Sequence, residues 1–341
     1  MSYSMNTRFL VGAIETVPGT PQALTAADFN VRIRNPEVSP IIEWDNDASK
    51  FANGNHGEDE AIAGAQSATI NFAIRLGIGA SVSTAPNYAK YLNGCGLKGN
   101  AYSTTGIGYQ PVKEYDNKTM TIYVYDVVTG GATPGAIVYK FAGCMGNLTI
   151  GCEGIGKPLI GSFSFTGKCV GIDDVAYASI PEGYDLAEAH PEKMLGTSLD
   201  IGGVTGCISS WQIDLGNEIS PLPCQSETTG YAYYQITNRK PRLGMDPLMQ
   251  SVATDNVWDN MLIDLCGITG IHTNAITIGM GHLDFYIPRS QQIQANLANR
   301  DGVINWDASY RAMANGYTGS VGFTGFAPEV TFEMLIGTRS W

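Results

Sequence analysis

The chain has 341 residues, 44% of them hydrophobic and 15% charged, with 32 acidic residues against 20 lysines and arginines and a net charge of −12. That balance excludes a disordered polyelectrolyte, long solvated charged helices, and binding to nucleic acid or anionic lipid by bulk charge. It leaves room for an acidic protein past which DNA slides without sticking, and 41 glycines and 16 prolines point to many turns between short strands.

From the N-terminus, Met1–Leu10 lacks a basic leader and Phe9–Ile14 is too short for a signal peptide. No apolar run approaches the roughly 20 residues of a membrane span. A soluble chain made in the cytosol, with no membrane partner, is expected. Gly12–Glu60 is rich in Pro, Thr, Asn and acid, with weak alternation only at Phe29–Ile33, so residues 1–60 read as an arm and long loop. Residues 61–290 read as a β-rich core and 291–341 as an extension or closing strands. Ser67–Ile74 and Thr119–Asp126 alternate with period two, and the latter turns through Gly130-Gly131 and Pro134-Gly135 into Ala136–Phe141 as a hairpin. Further strands are expected at Gly146–Ile150, Ile160–Thr166, Cys207–Leu215, Gly230–Ile236, Ala275–Ile278, His282–Ile287, Tyr317–Phe323 and Glu329–Leu335. Helices are expected near 85–93, with Pro86 early and Gly94 after it, and near 246–265, with a weaker one over Asp307–Ala314. The fold class is mainly β: a β-sandwich or partly open β-barrel with two or three flanking helices.

The acid is segregated. Gly171–Asn238 holds ten carboxylates and one base, Lys193, and Arg239-Lys240-Pro241-Arg242 follows at once. Glu182, Asp185, Glu188 and Glu192, with Arg239, Lys240 and Arg242, are the candidate assembly or lumen surface, an acidic face meeting a basic one on another copy. Solvated loop surface is the plainer alternative.

Catalytic signatures fail on inspection. Gly151-Cys-Glu-Gly-Ile-Gly156-Lys157 has phosphate-loop spacing, but Pro158 stands where Ser or Thr is needed and alternation resumes, so strand–turn–strand is expected. Gly77-Ile78-Gly79 lacks a dinucleotide setting. His282 and Asp284 would share a strand face, which suits a polar pair better than a metal site. Asp173 and Asp174 point oppositely along a strand, and Tyr231 and Tyr233 should share a face that Tyr234 does not. Seven cysteines without C-x-x-C read as reduced, mostly buried thiols. No enzyme, cofactor or metal is expected.

Four segments carry a resemblance. They are Glu15-Thr-Val-Pro-Gly-Thr-Pro through Asp28 with Val31–Glu37; Ala85-Pro-Asn-Tyr-Ala-Lys-Tyr-Leu-Asn-Gly-Cys-Gly96; Gly143-Cys-Met-Gly-Asn-Leu-Thr-Ile with Ser162-Phe-Ser-Phe-Thr-Gly167; and Trp211–Asn217 leading to Ile236–Pro241. In this order they resemble tail tube (major tail) proteins of tailed bacteriophages. The resemblance implies rings, commonly hexameric, with a shared inner β-barrel, stacked into a tube that conducts DNA. It also implies a virion tail location after assembly in the host cytoplasm, and as partners other copies of the chain, a tape-measure protein, a tail terminator, and DNA that passes without specific binding. Gly12–Glu60 would be an arm reaching the next ring, so that deleting Thr16–Ala26 leaves a folded protein that cannot stack. The alternatives are a tail terminator or baseplate ring, a carbohydrate-binding β-sandwich, and an acid-using hydrolase.

Overall fold

In the computed structural model the described residues are all but 1, 46–60, 80, 82, 103–105, 113–115, 130–134, 177–190, 203, 250–272, 314–331 and 338–341. They form an almost wholly β protein in which every strand pairing is antiparallel. The organising element is a long hairpin, β7 (Gly135–Cys152) and β8 (Ile160–Ala176). Alternation in Leu148-Thr-Ile150 and Phe163-Ser-Phe165 sends the apolar side chains to one face, all within 2% of full burial, and the polar ones to the other.

The second half of β7 pairs with β11 (Trp211–Asp214), β11 with β14 (Arg242–Met245), and β14 with β17 (Val303–Ala312). On its other side β8 pairs with β3 (Ile62–Arg75), and β3 with β2 (Arg34–Asp45). The first half of β7 instead pairs with β6 (Met120–Thr129) and, through it, β1 (Ser2–Ile14). β7 changes neighbours at a bulge around Gly143, whose φ is +62°. A Cβ there would lie 2.8 Å from the Tyr233 backbone. Gly143→Ala is therefore expected to cost at least about 2 kcal/mol, from strain and forced displacement, by chemical denaturation.

The second leaf contains β4 (Leu97–Tyr102), β5 (Gly106–Pro111), β9 (Ser198–Ile201), β10 (Val204–Thr205), β15 (Asn274–Met280) and β18 (Glu333–Gly337). β16 (Leu283–Arg300) joins the leaves: its start pairs with β15 and β18, its end with β17. The result is a sandwich, not a closed barrel. Trp211 on one leaf meets Phe285 on the other at 4.9 Å between ring centroids. Phe72, Phe163 and Phe165 stack at 5.1–6.3 Å beneath Tyr91 of the single described α-helix, α1 (Ala89–Gly94). A separate hairpin, β12 (Asn217–Pro223) and β13 (Tyr231–Arg239), lies over Met145.

Several sequence expectations are corrected. The helix near 85–93 is only Ala89–Gly94; Ala85–Tyr88 forms turns before it. Within the helix expected over Asp307–Ala314, Asp307–Ala312 is instead the end of β17, because Trp306, Ala308, Tyr310 and Ala312 bury one face with period two, and Ala314 lies outside the described residues. The helix at 246–265 falls mostly outside the described residues, and Leu248 makes an extended bridge to Asn305. Tyr317–Phe323 also lies outside them. The expected N-terminal arm contains two regular strands, β1 and β2, with a 3-10 turn at Ala26–Phe29 between them. β16 runs through the boundary expected at residue 290. Tyr231 and Tyr234, not Tyr231 and Tyr233, share a face, because a bulge adds a residue to β13.

Candidate functional site

Two hydrogen-bond nodes tie the four resemblance segments together. At the first, the buried Glu15 carboxylate accepts from Gly19 N (2.7 Å), Thr119 Oγ1 (2.6 Å), Thr121 Oγ1 (2.9 Å) and Gly143 N (2.8 Å). Gln22 N donates to Thr121 Oγ1, and Leu24 packs on the Phe9–Phe29–Tyr125 cluster. Residues 15–24 are thus folded onto this chain's own core, contrary to a free arm reaching another ring. At the second node, Asn217 donates its backbone N–H to Asn147 Oδ1 and its side-chain amide to the carbonyls of Cys95 and Gly146. Its Oδ1 accepts from Arg239 Nε, and Arg239 Nη2 reaches Gly96 O. Burial lowers the Arg239 guanidinium to about 10, so it stays charged at neutral pH.

The candidate surface residues are dispersed. Glu182, Asp185 and Glu188 lie outside the described residues. Glu192 is half-buried, its backbone bridging Leu76 and Leu159. Arg239 serves the node above, and Lys240 forms a salt bridge with exposed Glu218. Asp173 pairs with Lys140 and Glu227 with Lys168. Three of the segment's ten carboxylates are thus paired within the chain with bases 22 to 59 residues away in sequence. Of the basic run Lys240 and Arg242 are exposed, and Arg242 has no ion pair among the described residues.

What sequence reading missed is the face on which Arg242 sits. Strand register places one row of side chains across eight strands: Gln291, Arg311, Arg242, Asp214, Thr149, Ser162, Ala73 and Arg34. A second row carries Ser309, Gly244, Gln212, Gly151, Ile160 and Arg75, and a third Asn147, Ser164, Asn71 and Glu37. Ten of these eighteen positions are hydroxyls, carboxamides or glycines and four are arginines, opposite an inner face that is apolar but for the buried Ser290 and Gln292. A shallow cleft of about 450 Å³ opens on it over Gly151, Gly244, Ser162 and Gln212.

Beside the cleft, Asp246 accepts from Ser209 N and Ser210 N, each at 2.8 Å, and meets Arg300 at 2.6 Å. Burial raises its pKa, but the Ser209 and Ser210 bonds and Arg300 outweigh it, and the carboxyl lies below its ordinary value. Because the folded pKa is depressed, the stabilisation is present above the unfolded carboxylate value near 3.9 and is lost as pH falls through the folded one. Asp246→Asn should flatten the acid limb of a stability–pH profile below about pH 4, measured by denaturation at stepped pH.

At the outer border of this face, β2 pairs only with β3 and leaves its other edge open among the described residues. The distal part of the β2–β3 hairpin exposes Ile41, Ile42, Trp44 and Ile62, the last two 56% and 69% exposed. An open edge with apolar side chains templates further pairing or packing.

Other candidates dissolve. Cys152–Ile160 is strand–turn–strand with Gly156 at φ +75°, and Gly77 makes a bridge to Pro191. His282 stands in a turn while Asp284 is buried on β16, and the described residues hold no cluster of three metal-type ligands. Of the tyrosine run, Tyr231 and Tyr234 are buried and Tyr233 is half-buried. Among the described cysteines three are buried, two half-buried and Cys207 exposed, all as free thiols. No described helix is long and apolar enough to cross a membrane. No protein-family model matches the chain, and no curated protein matches it in sequence.

Proposed function

We propose that this protein is a structural subunit of a bacteriophage tail tube, assembling from many copies into stacked rings that conduct DNA. The observation that carries the reading is the polar face: eight strands wide, floored largely by hydroxyls, amides and glycines, with four exposed arginines (Arg34, Arg75, Arg242 and Arg311) and the carboxylates Asp214 and Glu37 spread over it, and bordered by an open strand edge with an exposed apolar tip. A protein–protein interface core is depleted in such groups and enriched in aromatics. A wall past which a hydrated polyanion moves needs short side chains, wetting, and no dense array of cations.

The β2–β3 tip is the natural docking element. It lies at one border of the sheet, so its contact with a different surface of the next copy is head-to-tail, and such contacts close into rings or run on as filaments. The convergence of the four resemblance segments on two hydrogen-bond nodes also supports the reading. It gives each quoted motif a place in a single architecture.

Negative-stain microscopy of the purified chain tests this. Long hollow tubes are expected. Isolated rings would move the reading to a tail terminator or baseplate ring, and a persistent monomer at high concentration would overturn both.

A further inference from the structure

Arg242 and Arg311 are directly opposed across β14 and β17 on the polar face. Both are exposed, and neither takes part in an ion pair among the described residues. Like charges in direct cross-strand register destabilise a sheet. The groups around them relieve this only in part. Asp214, directly opposite Arg242 on the other side, is a nearby counter-charge, but its Oδ1 is held by Asn147 Nδ2 at 2.8 Å and Gly216 N at 3.0 Å and it forms no ion pair with Arg242. Asp307 is four residues along β17, roughly 13 Å away. Gln291, opposite Arg311, is neutral. Beside Arg242, Gly244 leaves open space where a side chain would stand.

We infer that the Arg242–Arg311 pair is a phosphate-contact site for the backbone of duplex DNA passing over this face. Duplex DNA as occupant rests on the conduit reading above. A carboxylate from another copy suits the site less well, because the surroundings are wet, short and polar and lack the aromatic anchors of a protein interface. A phosphodiester needs only two well-placed guanidinium forks and water. One such pair per protomer, with Arg34 and Arg75 on the same face but at least four strands away, in a chain of net charge −12, holds DNA weakly and reversibly. It guides the duplex without trapping it.

The test is fluorescence anisotropy of a labelled 20-base-pair duplex with the full chain, titrated at 50 and 200 mM salt. The two phosphates neutralised by this pair contribute about −1.8 to the salt slope, about a 12-fold loss of affinity over that range, in addition to any share from Arg34 and Arg75. Arg242→Gln/Arg311→Gln should abolish most of this slope, and Arg242→Lys/Arg311→Lys should keep it. Equal slopes for the wild type and the glutamine double variant, or no salt-dependent binding by the wild type, would overturn the site. Micrographs of the same samples separate the two ideas. Tubes with arginine-independent binding retire only the site, and arginine-dependent binding without tubes retires only the conduit.

Discussion

Glu15→Ala is expected to remove about 4 kcal/mol of stability, enough to leave much of the protein unfolded or insoluble. The carboxylate is 3% exposed and is the common acceptor for two backbone N–H groups and two hydroxyls. Each buried donor left without an acceptor costs about 1–3 kcal/mol, and partial rescue by entering water keeps the sum below the maximum. A domain's total stability is only about 5–15 kcal/mol. Glu15→Gln should cost less, about 2 kcal/mol, because the amide retains one acceptor but turns an N–H toward donors. The consequence is also spatial: Glu15 holds Gly19 and Gly143 where each passes against the β13 backbone. Losing it should loosen the β12–β13 hairpin, with increased amide exchange at residues 217–239. Urea denaturation of both variants checks this; a loss below about 1 kcal/mol for Glu15→Ala would show that the node is not a keystone.

The second large effect concerns assembly alone. Trp44→Asp/Ile62→Asp should leave the melting temperature nearly unchanged, since both side chains are already more than half exposed in the single chain. Burying two such side chains against another copy is worth about 3–6 kcal/mol. The substitution should therefore raise the concentration needed for polymerisation by about 100-fold or more, at 1.4 kcal/mol per tenfold. Light scattering against concentration measures this, with circular dichroism as the control for folding. Tubes forming at the wild-type concentration would mean that the tip is not a docking element.

The legible part of this fold was local. Ser67–Ile74, Thr119–Asp126 and the Phe163–Phe165 run announce strands because a half-buried strand alternates over a few residues, and the structure has strands there. The strand–turn–strand at Gly151–Lys157 was readable from Pro158 and the period-two alternation that follows it. Asp307–Ala314 misled because Asp, Ser and Arg alternate with Ala and Tyr, a pattern that short windows fit to either period; burial of Trp306, Ala308, Tyr310 and Ala312 decided it. The polar face was not legible at all. Arg242 and Arg311 become neighbours only through register, as do Thr149 and Asp214, and register is fixed by tertiary pairing. The same holds for the charge pattern. Three of the ten carboxylates in the acid run fall into separate pairs, Asp173 with Lys140, Glu218 with Lys240 and Glu227 with Lys168, once the strands are aligned. Glu15 stood within a quoted motif, but its partners Thr119, Thr121 and Gly143 are more than 100 residues away.

The central claim is that the hydroxyl- and amide-lined face forms the wall of a DNA conduit. A helical reconstruction of the assembled chain by electron cryomicroscopy tests it most directly. The account predicts a hollow tube with Thr149, Ser162, Ser164 and Gln212 lining the bore and Arg242 and Arg311 reaching into it. Those side chains on the outer wall, or sealed between subunits, would contradict it.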